Sequence, residues 1–354
     1  MRTRSRRGIS MLLMVIICLA AACSALPETR PTLGPLQGTN SSLLESPTPM
    51  PTYTPTPAPL GSPERPVVMA VIASSPSGEQ IQALTDLAQR LGTSLGLNVV
   101  HRVYATYLEL ELALQKKEAQ LAWLQSVEYL LASQKGLLSA SLVTNHLGVT
   151  AYGVQFIGHK DGALVPWFNP STNQSTANAS AALAQLSGLR PCLGSKSSLA
   201  GYWVPLGFLA VNNIPYLPPV ETYSTSASLR TLYVKGVCDF AGTYAIAADP
   251  RSASDVVVDL TDVIDKLPIL WVSPPVIPNL TLAISAEIDL TVQSILSEFL
   301  EGLARSEEGK TLLSSALNYE VAALDPLPDS AYDELRALLA VQDVRLVDLL
   351  PQNR

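Results

Sequence analysis

The sequence predicts an α/β protein of two lobes with a ligand cleft between them. Three observations carry this expectation. From Val67 onward, strand-like and helix-like segments alternate three times. The same alternation restarts near Asn178. Apolar runs broken by prolines then lead the chain back before a helical C-terminal part. Alternation of this kind builds parallel sheets covered by helices.

The elements follow in order. "VVMAVIA" (67–73) is a continuous apolar run of strand length, as a strand buried on both faces requires. Ile81, Leu84, Leu87, Ala88, Leu91 and Leu95 recur at helical spacing; Ser77 with Gln80 opens that helix, and Gly92 and Gly96 close it. "LNVVHRV" (97–103) reads as the next strand. Thr106 with Glu109 caps a helix reaching about Glu118, "QLAWL" (120–124) is a third strand, and Ser126 opens a short helix. In the second block, 178–186 reads as helix and "GLRPCLG" (188–194) as strand. A helix starts at Tyr202 with Pro205 in its first turn, where the missing N–H costs little. Then come a helix over 226–235 and strands over 237–244 and 255–260. "LPILWVSPPVIP" and "NLTLAISAEI" are strand-like crossings, and 290–350 is mostly helical.

The N-terminus carries a separate message. Arg2, Arg4, Arg6 and Arg7 precede an apolar run from Ile9 to Ala22, which ends in "LAAAC" at Cys23. The run is shorter than the ~20 residues of an ordinary membrane span and reads as a signal peptide. Small residues before a cysteine resemble a bacterial lipobox, which implies cleavage before Cys23 and lipid on its thiol. An ordinary signal peptide cleaved nearby is the other reading, and Ser5-Arg6-Arg7 carries a faint twin-arginine pattern. Residues 24–66 are polar and proline-rich ("SPTPMPTYTPTPAP"), a stalk rather than a core. The expected division is signal peptide 1–22, lipidated cysteine and linker 23–66, first lobe 67–160, second lobe 161–268, and return to the first lobe with C-terminal helices 269–354.

The formal net charge is −7, and removing the leader takes four of 23 basic residues and none of the 30 acidic ones. A chain this acidic, with no basic block in its body, is not expected to bind nucleic acid. Beyond Cys18 in the leader and Cys23, only Cys192 and Cys238 remain. In an exported chain they form either a disulfide or two buried thiols. His101, His146 and His159 do not fall at metal-ligand spacing, and no CxxC pair occurs, so no metal or other cofactor is expected. No nucleophile elbow, P-loop or dinucleotide fingerprint occurs either, so an enzyme is not expected.

Ligands in open α/β sheets sit beyond the carboxyl ends of strands, often at helix N-termini. That places the loops 74–77, 125–126 and 194–201 at the cleft. The candidate ligand contacts are Ser74, Ser75, Ser126, Tyr129, Ser197, Ser198, Gly201, Tyr202 and Tyr244. Serines at strand ends most often cap helices, and that simpler role is assigned to Ser77 and Thr106. Trp203 is expected to pack, and Lys196 to be a solvated surface lysine.

Five segments in order resemble the phosphate/phosphite/phosphonate ABC-transporter substrate-binding family. They are "VIASSPSGEQIQALTDLAQRL", "AQLAWLQSVEYLLA", "SKSSLAGYWVP", "SLRTLYVKGVCDFAGTY" and "LWVSPPVIPN", spread over roughly 67–340. The resemblance implies a type 2 periplasmic-binding-protein fold and a small-molecule solute as ligand, an oxyanion among the candidates. It also implies delivery to an ABC permease, and an extracytoplasmic site of action with the membrane reached through the lipid. Closure would be a hinge motion about crossings near His159 and Leu270. In the family, a serine-rich loop binds the oxyanion. Aligning on Gly201-Tyr202 sets Ser197 and Ser198 on its first two serines, but Leu199 and Ala200 stand where the family has threonine and serine. Hydrogen bonds to charged groups contribute about 1.5–3 kcal/mol each, so two lost hydroxyls imply a large loss of phosphonate affinity. In the second segment Gln125 and Ser126 replace Gly-Pro. A ligand-sensing or scaffold module without transport is the other function consistent with these departures.

Overall fold

The computed structural model describes residues 57–350. The leader, Cys23 and most of the linker lie outside the described residues. Within them, no helix is long and apolar enough to cross a membrane.

The first sheet begins as expected. β1 (Val67–Ile72) lies between β2 (Val99–Tyr104) and β3 (Leu121–Leu124), both parallel to it. α1 (Gly78–Leu95) and α2 (Tyr107–Gln115) connect them, capped by Ser77 and Thr106, whose hydroxyls accept the amides of Gln80 and Glu109. α3 (Ser126–Gln134) follows, and β4 (Ser139–Asn145) then joins the sheet.

The chain next enters the second sheet through β5 (Ala151–Ile157). A small hairpin, β6 (Phe168–Asn169) and β7 (Gln174–Ser175), precedes α4 (Ala179–Leu183). β8 (Pro191–Leu193), α5 (Val204–Val211), β9 (Val220–Glu221), α6 (Thr225–Val234) and β10 (Phe240–Ala245) complete the parallel part. Two short helices, α7 (Ser254–Val257) and α8 (Val263–Lys266), lead to β11 (Ile269–Val272) and β12 (Ile277–Pro278), both antiparallel to β5. The sheet order is β11-β5-β10-β8-β9.

β13 (Thr281–Ile284) returns to the first sheet between β3 and β4. α9 (Leu290–Leu303), α10 (Glu307–Leu317), β14 (Ala323–Pro326) and α11 (Asp333–Ala340) finish the chain, giving the order β14-β4-β13-β3-β1-β2.

Three expectations need correction. The lobe boundary at 160/161 misses one strand and that at 268/269 misses two, because β5, β11 and β12 belong to the second sheet. The crossings therefore lie near 146–150 and 276–280, rather than at His159 and Leu270. There Asn279, almost wholly buried, donates its amide to the carbonyls of Val149 (2.7 Å) and Thr144 (3.3 Å), so one side chain ties the two crossings together. Residues 255–260 are not a strand. Val256 is buried but Val258 is 78% exposed, and Arg230 of α6 clamps Asp259 and the carbonyl of Asp255, which holds a helical turn against valine's preference. The stretch 290–350 is mostly helical as expected, with β14 the strand within it.

One apolar cluster spans both lobes. It includes Val68, Leu110 and Tyr129 from the first, Phe156, Tyr202 and Phe208 from the second, and Tyr332, Leu338 and Leu349 from the C-terminal segment. Cys192 and Cys238 are bonded to each other, with Cα atoms 5.6 Å apart, in a separate cluster behind the second sheet.

Candidate functional site

β1 and β3 end at Ile72 and Leu124, β8 and β10 at Leu193 and Ala245. The loops and first helical turns that follow the ends of β1, β3 and β8 contain all the serines and Gly201 of the expected site. Ser74 and Ser75 are exposed, and neither hydroxyl has a partner among the described residues.

The loop after β8 is built around its own polar groups. Gly194 donates its N–H to the Gly201 carbonyl (2.8 Å), which closes the loop on itself. The Ser198 hydroxyl accepts the Gly201 amide (3.0 Å) and so caps a π-helical turn, Leu199–Trp203, that leads into α5. A side chain at Gly201 would put its Cβ 2.9 Å from the Ser198 oxygen, so glycine is required by that close approach. The hydroxyls of Ser195 and Ser197 pair with each other (2.9 Å). Lys196 is exposed, with its Nζ 3.7 Å from the Glu221 carboxylate, and Trp203 packs with its indole N–H on the Lys196 carbonyl. Leu199 and Ala200 point into apolar surroundings at 9% and 6% exposure. Their two amides, first and second in the turn, have no acceptor among the described residues. Tyr202 is buried and its ring lies 5.0 Å from that of Trp203. Burial, then the charge of Glu221, raises its pKa.

Tyr244 is half-buried in β10, opposite Val154 of β5. Its pKa is raised by burial and then by Asp249 and Asp255.

Across the cleft, the expected residues turn inward. The Ser126 hydroxyl donates to the Pro278 carbonyl (2.6 Å) and is buried. It ties the start of α3 to the return crossing and is not a free donor. Tyr129 is fully buried. Its hydroxyl donates to Asp329 and accepts the Ala140 amide (3.0 Å), and its ring lies 4.4 Å from that of Tyr332. Both roles of that hydroxyl are used, and burial pushes its pKa up to about 12. Tyr129 is therefore core and not a ligand contact, because i to i+3 spacing from Ser126 turns it under the helix. Glu128, not Ser126, completes the cap of α3 by accepting the Gln125 amide (2.8 Å). Burial raises the Glu128 pKa to about 7 against the opposing pull of that amide.

Two residues here were not among the expected contacts. Tyr104 ends β2, and Tyr107 begins α2, on either side of the capping Thr106. Their rings are 9% and 3% exposed; among the described residues neither hydroxyl makes a hydrogen bond of normal geometry, although the Glu111 carboxylate lies close enough to Tyr107 to interact with its hydroxyl. Burial and the carboxylates of Glu111 and Glu128 raise the pKa of Tyr107, so it stays a donor at all ordinary pH. The available signal was "VYATY", two tyrosines bracketing a helix cap at a strand end.

The C-terminal segment runs between the lobes. Tyr332 is fixed to the first lobe by Tyr129 and by a 2.7 Å hydroxyl contact with Thr281. α11 then packs on α5 of the second lobe so closely that a Cβ at Gly207 would lie 2.6 Å from the Leu338 carbonyl. Gln342 donates to the Trp203 carbonyl (2.9 Å), and the turn Leu346–Leu349 returns to α3. We call 329–350 the strap.

A sequence model of the family described as "ABC transporter, phosphonate, periplasmic substrate-binding protein" matches residues 69–332. The chain belongs to this family. As a phosphonate-type substrate-binding protein it is a solute receptor of an ABC transporter and not an enzyme. Proteins of the family bind small solutes outside the cytoplasm and deliver them to a permease. Its fold is the type 2 periplasmic-binding-protein architecture. XAC2383 from Xanthomonas citri, solved bound to chloride and to ATP, is similar in structure. Both comparisons give a TM-score of 0.54, with 17% and 18% identity, over 80% of this chain and 98% of that one. PhnD1 from Prochlorococcus marinus, in complex with methylphosphonate, gives 0.45 at 13% identity over 77% and 96%. No curated protein matches the sequence.

Proposed function

We propose that this is a lipid-anchored receptor that takes a small solute in the cleft between its lobes, and that it holds this solute with a different donor set from the one its family's serine-rich loop supplies. One observation carries the reading. The Ser126 hydroxyl spends its proton on the Pro278 carbonyl, the Ser198 oxygen is held as an acceptor by the Gly201 amide, and Leu199 and Ala200 add no hydroxyl. The donors left to a ligand are the amides of Leu199 and Ala200, the O–H of Ser198, one O–H of the Ser195–Ser197 pair, the exposed hydroxyls of Ser74 and Ser75, and those of Tyr104 and Tyr107. Ser197 and Gly201 line the same loop, and Tyr202 and Tyr244 flank it. The set holds no free cation, which favours a solute with less charge than a phosphonate dianion. The lipid anchor rests on the "LAAAC" pattern at Cys23; Cys23→Ser should release the protein from the membrane fraction.

A calorimetric or thermal-shift panel tests the ligand. Phosphate, phosphite, methylphosphonate and aminoethylphosphonate should give little stabilisation, and the double variant Leu199→Thr/Ala200→Ser should gain response to them. Strong binding of a phosphonate by the unaltered protein would overturn the reading. A sensing or scaffold module is the second reading, and the strap favours it, since both lobes share its core. Small-angle scattering decides between them: closure upon a ligand that binds supports a transport receptor, and an unchanged curve supports the module.

A further inference from the structure

Away from the cleft, a cavity of about 690 Å³ opens between α3, the turn into β4, α11 and the end of the strap. None of the residues assigned to the cleft lines it. Its volume falls in the range of small-molecule sites, about 300–1,000 Å³. Its apolar wall is Leu130, Leu138 and Leu339, each at most 3% exposed, with Val344 and Leu346 of the strap above them. Side chains packed this tightly from behind form a preformed wall, which lowers the ordering cost of binding.

The polar part of the lining is small and its charge cancels. Arg336 and Asp329 are the charged residues of the lining, and they pair with each other (2.6 Å). Arg336 Nη1 also donates to Asp333 (2.9 Å) and to the Asp329 carbonyl (3.1 Å), and Nη2 to Ser133 (3.3 Å). Its Nε has no acceptor among the described residues. Ser133 and Gln134 supply further neutral polar groups. A charged ligand would meet one partner and one repulsive neighbour at this pair. An uncharged ligand with one acceptor oxygen meets no such conflict.

We propose that this cavity is a second binding site, for an uncharged, mainly apolar molecule carrying a carbonyl or similar acceptor. The ligand lies with its apolar body on the three leucines and its oxygen towards Arg336. Because the strap forms one wall, occupancy also holds the strap against the first lobe and raises thermal stability.

The probe is 6-propionyl-2-dimethylaminonaphthalene, an uncharged ketone whose emission shifts to the blue in apolar surroundings. Titrated with the full chain, it should show a saturable blue shift at one site per chain and a rise in melting temperature. Ser139→Trp and Ala340→Trp, each at an exposed lining position on a different element, fill the cavity without disturbing the core. Each should weaken binding by roughly tenfold or more, the loss of one well-packed contact. Circular dichroism should show that both variants are folded. Binding that does not saturate overturns the proposal. Saturable binding with equal affinity in both folded variants overturns it too, since the probe then sits elsewhere.

Discussion

On the second lobe, the loop from Gly194 to Trp203 engages its hydroxyl oxygens as acceptors for its own amides and for each other. On the first lobe, Tyr104 and Tyr107 carry buried hydroxyls without a well-formed hydrogen bond among the described residues, Tyr107 near the carboxyls of Glu111 and Glu128. The loop is rich in residues that look like ligand donors, and most are structural. The tyrosines read as aromatic core, and they hold the unmet hydrogen-bonding capacity. An unpaired buried hydroxyl costs about 1–3 kcal/mol, and that cost marks where a ligand has something to offer.

The largest effect expected from this contrast is on pH dependence. The folded-state pKa of Glu128 is raised from 4.5 to about 7, so the folded protein binds a proton that the unfolded chain has released. Its contribution is fully present below pH 4.5 and is lost as pH rises through about 7. The shift corresponds to about 3 kcal/mol. Glu128→Gln should flatten that decline, and urea titrations between pH 4.5 and 8 check it; parallel profiles for the two proteins would sink the assignment.

Next in size are the tyrosines. Tyr104→Phe should leave the ligand-free protein as stable as before or more stable, by up to about 1–3 kcal/mol, because it removes an unsatisfied group, and Tyr107→Phe should gain less, because its hydroxyl lies by the Glu111 carboxylate. Either should weaken binding of the solute found by the panel. A destabilised free protein would mean that these hydroxyls already have partners.

The loop serines come last. Ser198→Ala removes a cap and should cost about 1 kcal/mol in thermal denaturation. Ser197→Ala, at the exposed tip, should stay within about 0.5 kcal/mol. A reversed order for these two would break the distinction between cap and tip.

Much of the fold was legible because its signals are local. The capping residues Ser77 and Thr106, the apolar run at Val67 and the family segments all sit where the structure needs them. Lobe membership was less legible, because β5 and β11 look alike whichever sheet they join, and only pairing decides. Residues 255–260 misled because three valines favour a strand until Arg230 and the buried Val256 fix a helical turn. In the site, the serines were visible and their partners were not: the Pro278 carbonyl that occupies Ser126 lies 152 residues away. Tyr129 and Tyr332 meet across a still longer stretch of chain, so no local pattern could show that Tyr129 is core.

The strap has a consequence for biogenesis. Vectorial synthesis and export deliver both lobes before the segment that completes their shared core. Until Tyr332, Leu338 and Leu349 arrive, α3 and α5 expose apolar faces to the compartment in which the chain is folding. Products interrupted between β14 and α11 would hold two nearly finished lobes with an open seam, which marks them for proteolysis rather than for partial activity.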